Sequence, residues 1–156
     1  MSDERKGMAE VQAFFSAATV HSRLGERLGV HELRSDEDLL KAIEVRLPSQ
    51  AIATLVSQGS VTEAEIYDLV IPRRTLAHRR SNDEPLSRDE SDRLVRLARI
   101  TALADEVFAD PERAGRWLRK PKERFDARTP LAMLATETGG RLVEQMLHQI
   151  DHGMFA

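Results

Sequence analysis

Cysteine is absent from the 156 residues. That excludes disulfide staples and thiolate metal sites, and it fits a chain working in a reducing cytoplasm. Aromatic residues make up only 4% of the chain, so a core must be built from Leu, Val, Ile, Ala and Met. Apolar residues still reach 41%, enough for one ordinary domain or two small ones. No segment approaches the roughly 18–20 apolar residues of a membrane span, so no membrane partner is expected. The opening MSDERKGMAE lacks an apolar h-region, and no secretory signal is expected there. A net charge of -3 argues against a protein that coats nucleic acid non-specifically. It leaves room for a reader whose positive charge is confined to one face.

Catalytic signatures are missing as well. The chain holds no Walker loop, no dinucleotide glycine fingerprint and no G-x-S-x-G elbow. Carboxylates are plentiful but scattered along polar helix faces, so neither an enzyme nor a cofactor is expected. Glu144, His148 and His152 fall at helical spacing and could form a metal face. No further ligand cluster accompanies them, so no metal is expected and a solvated helix face is the plainer reading.

Nothing alternates with a strand period for long, and the expected fold is all-α. Residues 1–10 read as a polar tail, and 11–20 as a weak amphipathic stretch holding Phe14 and Phe15, with Gly25 and Gly29 breaking the pattern. From Ser35 the cap signals are regular. Ser35 precedes Glu37 and Asp38, where the helix dipole favours acid, and Leu39, Leu40, Ile43 and Leu47 follow at helical spacing. Pro48 fits the first turn of the next helix, which Gly59 closes. Thr62 with Glu65, and Ser87 with Glu90, are capping boxes. A long helix is expected from Arg88 to about Ala109, its apolar stripe wide enough to pack on more than one side. Asp110-Pro111, Thr129-Pro130 and Thr136 open three further helices, and Gly153 ends the last. This divides the chain into an N-terminal extension (1–34), a central unit (35–98) and a C-terminal unit (99–156), with the boundary inside the long helix.

The stretch over residues 61–80, VTEAEIYDLVIPRRTLAHRR, carries the sharpest signal. An acidic short helix turns straight into an arginine-rich one opened by Pro72, which is how a helix-turn-helix protein presents itself to DNA. At roughly 100° per residue, Arg74 and His78 share one flank of the second helix, and Thr75 and Arg79 the next. Leu76 and Ala77 lie towards the anchoring side. Arg73 and Arg80 sit at the edges, where phosphates would lie. Arginine can bridge guanine O6 and N7, and Thr or His can add hydrogen bonds. A solvated basic helix end, its arginines paired with Glu63, Asp83 or Glu84, remains open on the residues alone. Trp117 reads either as a core residue or as an interface anchor. The tail Gly153-Met154-Phe155-Ala156 reads either as folding back on its own core or as entering a partner's pocket.

Taken in order, these pieces resemble a known family. Residues 70–80 (VIPRRTLAHRR), then Leu86-Ser87 with Glu90 to Leu94, Val107-Phe108, Ala114 to Leu118, Arg128 to Leu131 and Gly153 to Ala156 are similar to the Xre/MbcA/ParS-like antitoxins. The resemblance covers about residues 35–156. It implies an antitoxin of a type II toxin–antitoxin pair, whose usual partner is a RES-domain toxin that depletes NAD⁺. The C-terminal domain would block the toxin's active site. Trp117, His152, Gly153, Met154, Phe155 and Ala156 would face the toxin, the tail reaching towards its site. The helix-turn-helix would repress the pair's own operator, usually as a homodimer within a larger hetero-oligomer, through Arg73, Arg74, Thr75, His78, Arg79 and Arg80. Two rivals make different demands. A stand-alone regulator with a ligand-sensing C-terminal unit requires a pocket there. A partition-associated scaffold protein requires weak sequence preference and a steep salt slope.

Overall fold

The computed structural model describes Arg5 and residues 20–154. The tail expected over residues 1–10 (Arg5 apart), the stretch expected over 11–20 up to residue 19, and Phe155 and Ala156 at the end lie outside the described residues. Helix α1 covers residues 20–28 and buries Leu24 and Leu28. The expectation that Gly25 breaks the pattern fails, because the helix passes through it. A Cβ at Gly25 would stand 2.6 Å from the Val30 carbonyl oxygen, so glycine is what lets the following loop fold back over the helix. Val30 N–H then donates to the Gly25 carbonyl at 2.9 Å. Arg27 fastens this helix to the rest of the chain, donating to the Asp105 carboxylate, to Ser60 Oγ (3.2 Å) and to Thr101 Oγ1 (3.3 Å). Residues 20–34 therefore belong to the fold and are not a loose extension.

Local capping chemistry sets the helices that follow. Helix α2 (Asp36–Val45) starts where Ser35 accepts from the Asp38 N–H. Leu40 and Val45 on it are exposed, so the inward stripe expected there is narrower and rests on Leu39. Helix α3 (Gln50–Ser57) buries Ala51, Ile52 and Leu55. Helices α4 (Glu63–Leu69) and α6 (Arg88–Phe108) both begin with complete capping boxes, Thr62–Glu65 and Ser87–Glu90. Between them lies α5 (Arg73–Ser81), entered through Pro72. Asp110 caps α7 (Pro111–Arg119), Thr129 caps α8 (Pro130–Met133) and Thr136 caps α9 (Glu137–Asp151). A 3-10 turn, Glu123–Phe125, lies between α7 and α8. Among the described residues no strand forms, only a bridge between Lys122 and Arg128.

Helix α6 is the spine. It packs against α2, α4, α7 and α9, and its buried residues run from Glu90 to Ala104 on more than one side. Towards its start it holds the helix-turn-helix half. Ser91 Oγ accepts the Leu47 N–H at 3.0 Å, and Arg93 donates to the Val70 carbonyl at 3.3 Å. One turn later it turns to the C-terminal half, where Arg96 donates to the Leu134 carbonyl at 3.2 Å and Arg99 pairs with Glu144 at 3.4 Å. Thr101, buried mid-helix, satisfies its hydroxyl on the Leu97 carbonyl at 2.9 Å. Helix α9 can lie close to α8 because Gly139 has no side chain. A Cβ there would fall 1.9 Å from the Met133 carbonyl oxygen.

Candidate functional sites

The helix-turn-helix is built from α4, a three-residue turn and α5. Val70 and Ile71 both donate backbone N–H groups to the Ile66 carbonyl, at 2.9 and 3.1 Å. Ile71 is buried, Arg93 holds the Val70 carbonyl from α6, and Leu76 plugs α5 into the core. These contacts fix the angle at which α5 leaves the body of the protein. Its outward side carries Arg74, Ala77, His78 and Ser81, with Arg73 and Arg80 exposed beside them. None of Arg73, Arg74 or Arg80 is ion-paired with another described residue. His78 lies 3.1 Å from Asn82 Nδ2, one turn further on.

Two of the expected reading residues sit differently. Thr75 is half-buried. Arg79 turns inward, its Nε 2.8 Å and its second guanidinium nitrogen 3.0 Å from the two carboxylate oxygens of Glu90, with Glu84 at 3.5 Å. Only 17% of the Arg79 side chain and 11% of Glu90 are exposed, so this is a partly buried fork-to-fork pair. Its side chain thus lies off the outward side of α5 and is engaged by Glu90. Ala77 moves the other way, from the anchoring side to the exposed face, and Ser81 joins it. Both were within reach of the helical angle: taking Arg74 as the outward centre puts residues 77 and 81 beside it.

Glu90 serves two structures at once, accepting from Arg79 and from the Ser87 N–H at 2.7 Å. Burial would push its carboxyl up, but the hydrogen bonds from Arg79 and Ser87 outweigh it and hold the group below the ordinary range. Glu65 behaves alike: burial raises it, and Arg119 with the Thr62 N–H lowers it further. Both contributions to stability are complete above about pH 4.5 and are lost as pH falls through the depressed folded values. Arg79→Ala is expected to cost about 2 kcal/mol, between an exposed and a buried pair, because Glu90 keeps only its cap partner. Glu90→Gln is expected to flatten the acid limb of the stability curve. Denaturant midpoints measured across pH test both, and an Arg79→Ala protein as stable as the parent would return Arg79 to the DNA face.

The C-terminal half wraps α7, α8 and α9 around α6. Trp117 is half-buried and packs at a tilt on Phe108, ring centroids 5.7 Å apart, with Lys122 Nζ 5.0 Å above its indole. It is thus both a packing residue and partly presented. Burial, and then Lys120 nearby, push the Lys122 amine down. Arg124 reaches from the 3-10 turn to Gln149 Oε1 at 3.0 Å, tying this stack's neighbourhood to the last turn of α9. His152, Gly153 and Met154 follow that turn, all exposed. The Met154 N–H still donates to the Gln149 carbonyl at 3.0 Å, but its side chain is 69% exposed. Met154 is thus not packed on the core in this structure.

Two other readings meet the geometry here. Glu144 is engaged by Arg99, and among the described residues no group of three metal-ligating side chains converges. A cavity of about 110 Å³ lies between α1, α6 and α9, lined by Leu24, Arg99, Leu103, Glu144 and His148. Ligand sites for small molecules run to roughly 300–1,000 Å³, and this one is shared with the N-terminal helix. A ligand-sensing C-terminal unit gains no support from this cavity; two larger recesses that its residues line, about 960 Å³ beside α7 and about 370 Å³ beside α8, are open grooves shared with residues of the helix-turn-helix half. No described helix is long and apolar enough to cross a membrane.

Comparison with known proteins identifies the family. Residues 38–99 match the family described as the antitoxin Xre-like helix-turn-helix domain. Residues 103–153 match the antitoxin Xre/MbcA/ParS C-terminal toxin-binding domain. An Antitoxin Xre from Pseudomonas putida is 42% identical over 150 residues, covering 96% of this chain and 94% of that protein. The chain belongs to the Xre antitoxin family. A second Antitoxin Xre, from Yersinia enterocolitica, is 30% identical over 76% of this chain and 81% of its own length. A Prs ADP-ribosylating antitoxin from Sphingobium is 25% identical over 78% of this chain and 83% of its own length. The Pseudomonas match extends into the region before Ser35, where the motifs gave no resemblance. This antitoxin thus pairs a helix-turn-helix with a toxin-binding C-terminal domain, and a cognate toxin is its partner.

Proposed function

We propose that this antitoxin neutralises an NAD⁺-consuming RES-domain toxin in the cytoplasm and represses its own operon as a homodimer. The observation that carries the reading is the separation of two free surfaces on one spine. Arg73, Arg74 and Arg80, in no ion pair with another described residue, stand exposed on α5, and exposed His152, Gly153 and Met154 follow α9. Trp117, His152 and the tail from Gly153 to Ala156 form the toxin-facing set. Arg73, Arg74, Ala77, His78, Ser81 and Arg80 form the DNA-facing set. Exposed Leu40 and Val45 on α2 support self-association. Neutralisation is steric and electrostatic, with no chemistry by this chain. Phe155 would contribute apolar burial, and the terminal carboxylate would meet the cationic groups that a pyrophosphate pocket must carry.

The name of the Sphingobium relative supports a second reading, in which the partner transfers ADP-ribose instead of hydrolysing NAD⁺. Both toxin types draw on NAD⁺, and one experiment separates them. The antitoxin is co-expressed with the product of its neighbouring gene while growth, cellular NAD⁺ and protein ADP-ribosylation are followed. Rescue of both growth and NAD⁺ is the expected result. Rescue of growth with loss of a modified protein band favours the second reading. A harmless neighbour, or no rescue, overturns both and leaves a transcription regulator with an unassigned C-terminal domain.

A further inference from the structure

Residues 113–124 hold Arg113, Arg116, Arg119, Lys120, Lys122 and Arg124 against one acid, Glu123, in a chain whose net charge is -3. The cluster belongs to the C-terminal domain, yet its outer row is not placed as a toxin-binding feature by anything described so far. Arg113 and Arg116 fall three residues apart on the solvent side of α7, opposite the buried Ala114 and Leu118, and Lys120 follows at its end. All three are exposed. Arg116 pairs with Glu112 at 3.7 Å, with both side chains mostly in water, so the pair neutralises little.

Where α7 is docked gives this row its meaning. Arg119 donates from Nε to Glu65 Oε1 at 2.7 Å and from its terminal nitrogen to Glu65 Oε2 at 3.0 Å. The same nitrogen reaches the Ser60 carbonyl at 3.2 Å. Glu65 stands in the first turn of α4, and Ser60 just ahead of that helix. Gly59 and the Arg116, Arg119 and Lys120 side chains line one open groove. The basic side of α7 therefore runs beside the N-terminal end of the first helix of the helix-turn-helix pair. In such pairs the second helix enters the major groove while the first crosses the sugar–phosphate backbone. Helix α4 is poorly suited to that crossing alone, because Glu63 and Glu65 occupy its first turn. Arg119 cancels Glu65, and the row beside it supplies the positive charge that α4 lacks.

We propose that the outer face of α7, through Arg113, Arg116 and Lys120, is an accessory phosphate-contacting surface, so that the toxin-binding domain also grips the DNA backbone flanking the site read by α5. This rests on the operator-binding reading above. The contact is sequence-independent and additive to the arginine face of α5. A DNA partner is favoured over a toxin surface because Arg119, on the same helix as the row, anchors α7 to the helix-turn-helix at Glu65 and Ser60.

The test uses the full chain and fluorescence anisotropy, with the DNA immediately upstream of its own coding sequence and an unrelated duplex of equal length. Salt is varied in both titrations. Arg116→Ala with Lys120→Ala should make the slope of log K against log salt shallower by about 1–2, and should weaken both duplexes alike. Arg116→Glu with Lys120→Glu should deepen the loss. Arg119 is left untouched, since its removal would free Glu65. Thermal melts and co-purification with the neighbouring gene product should match the parent. If Arg74→Ala loses the operator while the α7 variants keep the full slope, this inference fails and the operator reading stands. If the α7 variants lose the neighbouring gene product but not the slope, the row belongs to the toxin interface and the inference is overturned. If the unaltered chain does not bind the upstream DNA, both ideas fall together.

Discussion

Arg74→Ala is expected to reduce operator binding most of the way towards the level of unrelated DNA while leaving the fold and the toxin complex intact. Arg74 sits at the centre of the exposed side of α5, and no carboxylate of a described residue engages it. Its neighbours Ala77 and Ser81 are small, so that centre can come close to base edges. A good bidentate arginine contact is worth about 1–3 kcal/mol of discrimination. In a dimer the loss counts at both half-sites, about 2–6 kcal/mol in all, a large part of the roughly 4–10 kcal/mol that separates specific from non-specific binding. Gel retardation of the upstream fragment, beside a melt of the same protein, separates this from misfolding. Retardation equal to the parent's would falsify the placement of the reading helix.

Arg79→Ala makes the instructive contrast. It removes one more guanidinium from the same helix, but the charge lost was already committed to Glu90. The expected effect appears in stability and in the acid limb, with DNA binding altered only as far as α5 loosens. A simple count of arginines on this helix would treat the two substitutions as equal.

The second large effect is expected at the chain end. Removal of residues 154–156 should weaken toxin neutralisation by tenfold or more and leave the melt almost unchanged. Met154 contributes one backbone hydrogen bond, to Gln149, and its side chain is mostly in water. Deletions of that kind cost about 0.5 kcal/mol or less in stability. Burial of Phe155 in a partner would contribute about 1.5–3 kcal/mol, and the terminal carboxylate would add a charge-assisted contact. Inhibition of the neighbouring gene product, titrated with full-length and truncated protein, reads the difference directly. Equal inhibition by both forms sinks the tail mechanism and shifts the toxin surface towards Trp117 and Lys122.

Much of the architecture was legible in the residues because helix starts are local events. Ser35, Thr62, Ser87, Asp110, Thr129 and Thr136 each accept a backbone N–H two or three positions further on. Such bonds need no knowledge of the rest of the chain. The wide apolar stripe of α6 likewise announced a helix packed on several sides, and the ordered motifs announced the Xre family. Gly25 misled because glycine ordinarily weakens a helix, whereas here the close approach of Val30 requires it.

Side-chain allegiance was a matter for tertiary structure. A helical wheel orders the residues of α5 around its axis but does not say which sector meets the core. That is settled by the partners: Leu76 enters the core and Glu90 captures Arg79, which turns Ala77 and Ser81 outward. The same holds for the link between the two halves of the molecule. Arg119 and Glu65 are 54 positions apart, and nothing local to either foretells their pairing. By itself the sequence determined the helices, their caps and the family. The contacts of Arg79 with Glu90 and of Arg119 with Glu65 decided which arginines stay committed to the fold, because a guanidinium held at two points by a carboxylate has its charge answered and its orientation fixed there.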